Sequence, residues 1–305
     1  MNEMDALKAS TARLSILSNT VLFLLKLAVG FSIGAVSLIS EALHSGIDLL
    51  ASGIAFWAVR KSVTPPDREH DYGHGKYENL SAAAEALLVL AAAAGIVYEA
   101  YQKLGKDSVP DNLHYGIIIM VISIIINYFV SRKLGQIAEV TDSQALKADG
   151  LHLQSDIWTS VGVLCGLFLM WLTGWAWLDS LLAVFIAGII FWTGWGMVQE
   201  SMLQLTDASL PPEEEERIGK IIADCPKVLG YHCLRTRKSG SCKLLDVHVL
   251  FDGDMRLSQV HAICDELEQK IRKGGFGSMD ILIHPEPMKG HVEETKEYQY
   301  EQARR

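Results

Sequence analysis

The chain has 305 residues, 50% of them hydrophobic and 21% charged, and its mean hydropathy of +0.20 is higher than an ordinary soluble domain carries. A formal charge of −9, from 27 basic and 36 acidic residues, excludes the basic footprint with which proteins hold nucleic-acid backbones. The five cysteines, Cys165, Cys225, Cys233, Cys242 and Cys264, contain no CxxC pair. Their spacing predicts neither a disulfide framework nor a thiolate zinc site, and it fits reducing surroundings for the soluble part.

The N-terminal MNEMDALKAST holds acids, a single lysine and no small-residue cleavage site, so the first apolar segment is expected to be retained rather than removed as a signal. A helix needs about 20 mostly apolar residues to cross the hydrocarbon. Six segments are read as spans: Ala12–Phe31, Ala35–Val59, Leu80–Tyr101, the shorter Tyr115–Val130, Ala145–Leu172 and Trp177–Leu203. Only FSIG and TGWA join the first span to the second and the fifth to the sixth, which predicts tight antiparallel pairs. Lys8, Arg13, Arg60, Lys61, Arg68, Lys76, Arg132, Lys133 and Lys147 gather on one side, against Lys103 and Lys106 on the other. This asymmetry puts both termini in the cytoplasm.

Composition changes after Leu210, where Pro211-Pro212 and four glutamates mark a helix start, with proline preset for the first turn and acids at the positive end of the dipole. The pattern that follows is a helix to about Cys225, strands near Tyr231–Arg237 and Leu244–Phe251, a helix over Leu257–Lys273 and a strand over Asp280–His284. The expected fold is therefore an α-helical membrane protein: a six-helix transmembrane domain over residues 1–207 and a cytoplasmic α+β domain of order αββαβ over residues 208–288. Residues 289–305 lack apolar periodicity and are expected to be disordered. A domain of about 80 residues has a modest core, which dimerisation would enlarge.

Ionisable residues inside the spans carry the functional signal. In SEALHSGIDLL, His44 and Asp48 stand at i and i+4, on one helix face about 6 Å apart. The fifth span repeats this in GLHLQSDIW with His152 and Asp156. An imidazole and a carboxylate from each helix make an N2O2 set suited to a tetrahedral divalent ion such as Zn2+. Hydrogen bonding between helices is the competing reading, but an intramembrane carboxylate is costly unless paired or metal-bound. Lys26 and Glu85 also lie within spans, where a structural pair, snorkelling and function are all open. In the loop PPDREHDYGHGKYE, Asp67, His70 and His74 have a spacing that serves chelation or a solvated polar loop equally. His232, His248, His261 and His284 fall on expected strands and a helix, as a site or as scattered surface histidines.

Six spans, HxxxD on the second and fifth, DxxHxxxHGK after the second and an αββαβ tail together resemble the cation diffusion facilitator family of divalent metal/proton antiporters, over roughly Ala12–Pro287. The bacterial zinc and iron efflux members are the most similar in kind. The resemblance implies a homodimer in a bacterial inner membrane. It puts His44, Asp48, His152 and Asp156 at the transport site, and Asp67, His70 and His74 at a loop site. It assigns His232, His248, His261, His284 and Glu286 to a binuclear site of the cytoplasmic domain, and it pairs Lys76 with Asp207 as an interlock between domains. Two departures bear on the metal: His44 stands where bacterial zinc and iron exporters carry Asp, and the usual IHQDP ending reads IHPEP here.

A metal-binding imidazole must be neutral, and the same nitrogen takes a proton at a pKa of about 6.5, so His44 and His152 are expected to couple metal to protons. No GxxxxGK[ST] is present, so no nucleotide is expected to drive the cycle. The expected partners are divalent metal ions, protons, membrane lipid and a second copy of the chain. Zn2+ is the expected cargo and regulator, with Fe2+, Co2+, Cd2+ and Mn2+ as alternatives. An intramembrane metalloenzyme would keep an open coordination position or an HExxH, and neither is expected; a membrane-bound metal sensor is the remaining rival.

Overall fold

A computed structural model describes residues 3–33, 36–103, 113–173 and 177–288. The tail from Lys289, expected to be disordered, lies outside the described residues, as do some helix side chains, that of His44 among them. The chain forms two compact units, Met1–Leu205 and Thr206–Arg305.

The first unit is helical: α1 (Glu3–Ile33), α2 (Val36–Ser62), α3 (Lys76–Lys103), α4 (Leu113–Thr141), α5 (Gln144–Thr173) and α6 (Trp177–Leu205). Among the described residues, four helical stretches are long and apolar enough to cross a membrane: Glu3–Val29, Lys76–Gln102, Ile117–Thr141 and Ala183–Leu205. The fourth helix runs eleven residues past its expected end at Val130. Hydropathy marks where apolar side chains stop, whereas the helix continues because Leu134, Ile137 and Ala138 pack against Ala145 and Leu146 of α5.

Close helix contact relies on small residues, since lipid tails give apolar side chains no reason to prefer one another. A Cβ at Gly194 of α6 would stand 3.0 Å from Val89 and Leu90 of α3. One at Gly162 of α5 would meet Ile186 of α6 at 2.7 Å. Buried polar groups add directional ties. Glu78 of α3 accepts from Lys8 of α1 at 3.0 Å and from Ser62 of α2 at 2.8 Å, and it also accepts from Ser143, just before α5. One carboxylate thus joins four parts of the bundle.

The second unit contains α7 (Pro212–Ala223), β1 (Gly230–Ser239), β2 (Cys242–Phe251), α8 (Leu257–Lys273) and β3 (Ser278–Pro287), in the αββαβ order. The strands lie in the order β1-β2-β3, the first pair antiparallel and the second parallel. Both helices cover one face: Ile218, Ile222, Val260, Ile263, Leu267 and Ile271 pack on Leu245, Val247, Val249, Phe251, Met279 and Ile281. β3 extends past its expected end at His284 because pairing with β2 continues to Phe251↔Pro287. As an edge strand it tolerates Pro285 and Pro287, which have no N–H to give.

Candidate metal centres

Among the described residues, three clusters of potential metal ligands arise, each from a different local device. In the helical unit, His152 Nε2 of α5 lies 3.3 Å from Asp48 Oδ1 of α2. Ligand atoms of Asp48, His152 and Asp156 all lie within 4.8 Å of one another. The i, i+4 spacing on α5 puts His152 and Asp156 on one face, and that face meets Asp48. Asp48 and His152 are 7% and 4% exposed, and His152 Nδ1 has no hydrogen-bond partner among the described residues. Two carboxylates around one imidazole in an apolar bundle are a donor set whose chemistry suits a divalent cation. His44 is one helical turn before Asp48 in α2, and its side chain is outside the described residues.

Around this trio the bundle holds further buried polar groups. Asp149, one turn before His152 on the same face, accepts from Ser52 at 3.1 Å, and Ser52 also accepts from Asn19 at 2.7 Å. Lys26 is buried and donates to Ser45 at 2.8 Å, rather than snorkelling. Glu85 accepts from Ser81 at 3.2 Å and is fully buried. Asp149 lies within the expected fifth span but was not singled out from the sequence, although its place one turn before His152 puts it on that face.

The loop between α2 and α3 folds around Asp67. Its Oδ1 accepts from the backbone N–H of Glu69 at 3.0 Å and of His70 at 2.8 Å, while Oδ2 lies 3.3 Å from His74 Nε2. His70 Nδ1 is 3.2 Å from the same carboxylate. The bond from the Glu69 N–H, with those from His70 and the nearby His74, holds the Asp67 carboxyl below its usual range. Gly73, at φ +76°, supplies the left-handed turn that returns His74 toward Asp67. The three residues form one group of potential ligands.

In the α+β unit the device is strand register. His232 pairs with His248 across β1 and β2, and His248 pairs with His284 across β2 and β3, so three imidazoles form one row across the sheet. Glu286, two residues after His284 and so on the same face, lies 2.9 Å from His232 Nε2, 2.8 Å from His248 Nδ1 and 3.4 Å from His284 Nε2. His248, His284 and Glu286 form one ligand group, and His232, Cys233 and His248 another. His261 is not brought to the row within this chain: it lies on α8, 3.7 Å from Asp265, with its side chain 76% exposed.

Cys233 is the residue that spacing reasoning missed. Neighbours on a regular strand face opposite sides, so a cysteine beside a ligand histidine is discounted. Here the register of β1 shifts between His232 and Arg235, and Cys233 takes a φ of +49°. The bulge brings Cys233 Sγ to 3.1 Å from His232 Nδ1. The two ends of the expected interlock belong to different units: Lys76 opens α3, and Asp207, at φ +59°, accepts from Arg237 at 3.2 Å.

Comparison with known proteins agrees with this architecture. The profile described as the cation efflux transmembrane domain matches residues 12–206, and that of the cation efflux protein cytoplasmic domain matches residues 210–288. The chain is 34% identical over 277 residues to the uncharacterized transporter sll1263 of Synechocystis, covering 90% of this chain and 88% of the relative. It is 34% identical over 271 residues to the cation-efflux pump FieF of Pectobacterium carotovorum, covering 88% and 89%. FieF of Escherichia coli O127:H6 is 33% identical over 268 residues, again covering 88% and 89%. A solved zinc form of CzrB is 34% identical, covers 27% of this chain and 93% of its own, and superposes with a TM-score of 0.26.

Proposed function

This chain belongs to the cation efflux family, the cation diffusion facilitators, and from that premise we propose that it exports Zn2+ from the cytoplasm in exchange for protons by alternating access. It is an integral membrane cation efflux transporter and a secondary transporter, not an enzyme. The observation that carries the finer reading is the Asp48–His152–Asp156 group, with Asp48 and His152 buried and Asp156 half-buried, built by two helices inside the membrane domain. With His44 on the same helix as Asp48, the donor set is N2O2, which suits Zn2+ better than the hard ions Mg2+ and Ca2+.

The chemistry of these side chains supplies the coupling. Carboxylates of Asp48 and Asp156 hold the ion, and neutral His44 and His152 give it nitrogen lone pairs. When the site faces an acidic far side, a proton takes the nitrogen lone pair and the ion is released. The protonated site then reorients and returns its protons inward. This cycle needs six spans with both termini in the cytoplasm, in a bacterial inner membrane with its lipid, and a homodimer as the assembly. Asp67, His70 and His74 serve as a loop site beside the cytoplasmic ends of α2 and α3. His232, His248, His284 and Glu286, with His261, bind regulatory metal, and a Lys76–Asp207 pair links membrane and cytoplasmic domains.

The test is uptake by inside-out vesicles over a series of Zn2+, Fe2+, Co2+, Cd2+ and Mn2+, with an imposed proton gradient. Zn2+ uptake that alkalinises an acid-loaded lumen is the expected result. Binding without flux for every ion would instead identify a membrane-bound sensor, and flux indifferent to the proton gradient would remove the antiport.

A further inference from the structure

The face of the sheet opposite α7 and α8 holds more donor atoms than the histidine row accounts for. Leu234 packs toward the helix-covered core, and Arg235 pairs with Asp246 on the other side. Alternation from Arg235 puts Cys233 on that open face as well. The register shift between His232 and Arg235, with Cys233 itself at φ +49°, lets His232 share that face instead of turning toward the helices. As a result Sγ of Cys233 and ring nitrogens of His232 and His248 lie within 4.8 Å of one another. The Glu286 carboxylate already touches both imidazoles, at 2.9 and 2.8 Å. Cys233 itself is 9% exposed.

The other four cysteines have no such neighbours. Cys225 and Cys264 are within the apolar core of the unit, and burial holds the Cys264 thiol above its usual range. Cys242 lies 3.6 Å from the Lys243 carbonyl, and Cys165 is exposed on α5. Only at Cys233, among the described residues, do two imidazoles converge on a sulfur.

We propose that Cys233 is a thiolate ligand of the cytoplasmic domain, so that the His232 side of the histidine row is a mixed nitrogen and sulfur site for thiophilic divalent ions such as Zn2+ and Cd2+. This rests on the reading of the row as a metal site and extends it in kind. His232 and His248 give nitrogen and Cys233 gives sulfur, three donors within 4.8 Å of one another, which leaves a fourth tetrahedral position to water. Binding forms a metal–sulfur bond and releases the thiol proton to water, with no change of oxidation state. Soft sulfur favours Zn2+ and Cd2+ over Mn2+ and Mg2+, so the regulatory domain discriminates among ions that carboxylates alone would accept.

The experiment is a Co2+ titration of the full-length protein in detergent, followed by absorbance. A cobalt ion bound by a thiolate shows sulfur-to-metal charge transfer in the near ultraviolet; one bound by histidine and carboxylate alone shows only visible bands. The wild type is expected to show both, and Cys233→Ser to lose the near-ultraviolet band while keeping the visible ones. Zn2+ affinity at this site should fall by at least the ~10–100-fold that loss of a supporting partner costs a metal site. A band that survives in C233S, or visible bands without charge transfer in the wild type, overturns the assignment. A second measurement needs no substitution: Cd2+ should slow alkylation of Cys233, mapped by peptide, and an alkylation rate indifferent to Cd2+ also overturns it. Neither readout depends on flux, so a thiolate band in a protein that transports nothing would remove the export reading and leave this one standing.

Discussion

A carboxylate inside an apolar bundle has to be paired, hydrogen-bonded or given to a cation, and this protein contains each arrangement. Glu78 is paired: Lys8 at 3.0 Å and two serines satisfy it, and both charged side chains are at most 3% exposed. Removing Lys8 leaves a buried charge without its counter-ion, so Lys8→Ala should cost about 3–5 kcal/mol, measured as a fall in midpoint on thermal or denaturant unfolding in detergent. Asp48 and Asp156 instead converge on one histidine. Their replacement should leave stability nearly intact and remove function: Asp48→Ala or Asp156→Ala is expected to abolish metal uptake into inside-out vesicles. Wild-type flux in either variant would end the assignment of the transport ligands. His44→Asp changes N2O2 into NO3 and takes away a borderline nitrogen, so competition assays should show Zn2+ losing ground to Mn2+. An unaltered competition series would mean that His44 does not set selectivity.

At the scale of elements, the contacts that hold helices together are made where side chains are absent. Gly194 leaves 3.0 Å to Val89 and Leu90 at the Cβ position, tighter than van der Waals contact, so Gly194→Val should push α6 from α3. The expected cost is about 1–3 kcal/mol, as for an overpacked core, read as lowered thermal stability, and a neutral substitution would show that the helices adjust. The sequence made helix positions legible because about 20 apolar residues leave few alternatives, and it made the shared face of His152 and Asp156 legible because helix geometry fixes an i, i+4 pair. It left three things hidden. The eleven extra residues of α4 are polar enough to read as loop, and only their packing on α5 keeps them helical. The alignment of His232, His248 and His284 depends on strand register, which is a property of pairing rather than of local pattern. Cys233 was hidden for the same reason, because one bulge reverses what alternation predicts.

For the whole molecule, the proposed function gives the separate clusters separate parts, one ion regulating the passage of another. The histidine row belongs to a unit of its own, Thr206–Arg305, and the Asp48–His152–Asp156 group to the unit Met1–Leu205. In the proposed function the row takes no step of the path, and metal bound there acts on transport through conformation. A ligand shifts a two-state equilibrium only by its differential affinity for the two states. If metal at the row binds the transport-competent dimer more tightly, replacing His232, His248 and His284 together removes that bias without touching the transport ligands. The triple variant should need about 10-fold more cytoplasmic Zn2+ for half-maximal flux, a coupling of ~1.4 kcal/mol within the usual allosteric range, and should keep flux at saturating metal. The decisive measurement is initial uptake against Zn2+ concentration in vesicles with equal amounts of protein. A variant whose curve overlays the wild type would show that the row is uncoupled from transport, and one silent at every concentration would place the row in the transport path itself.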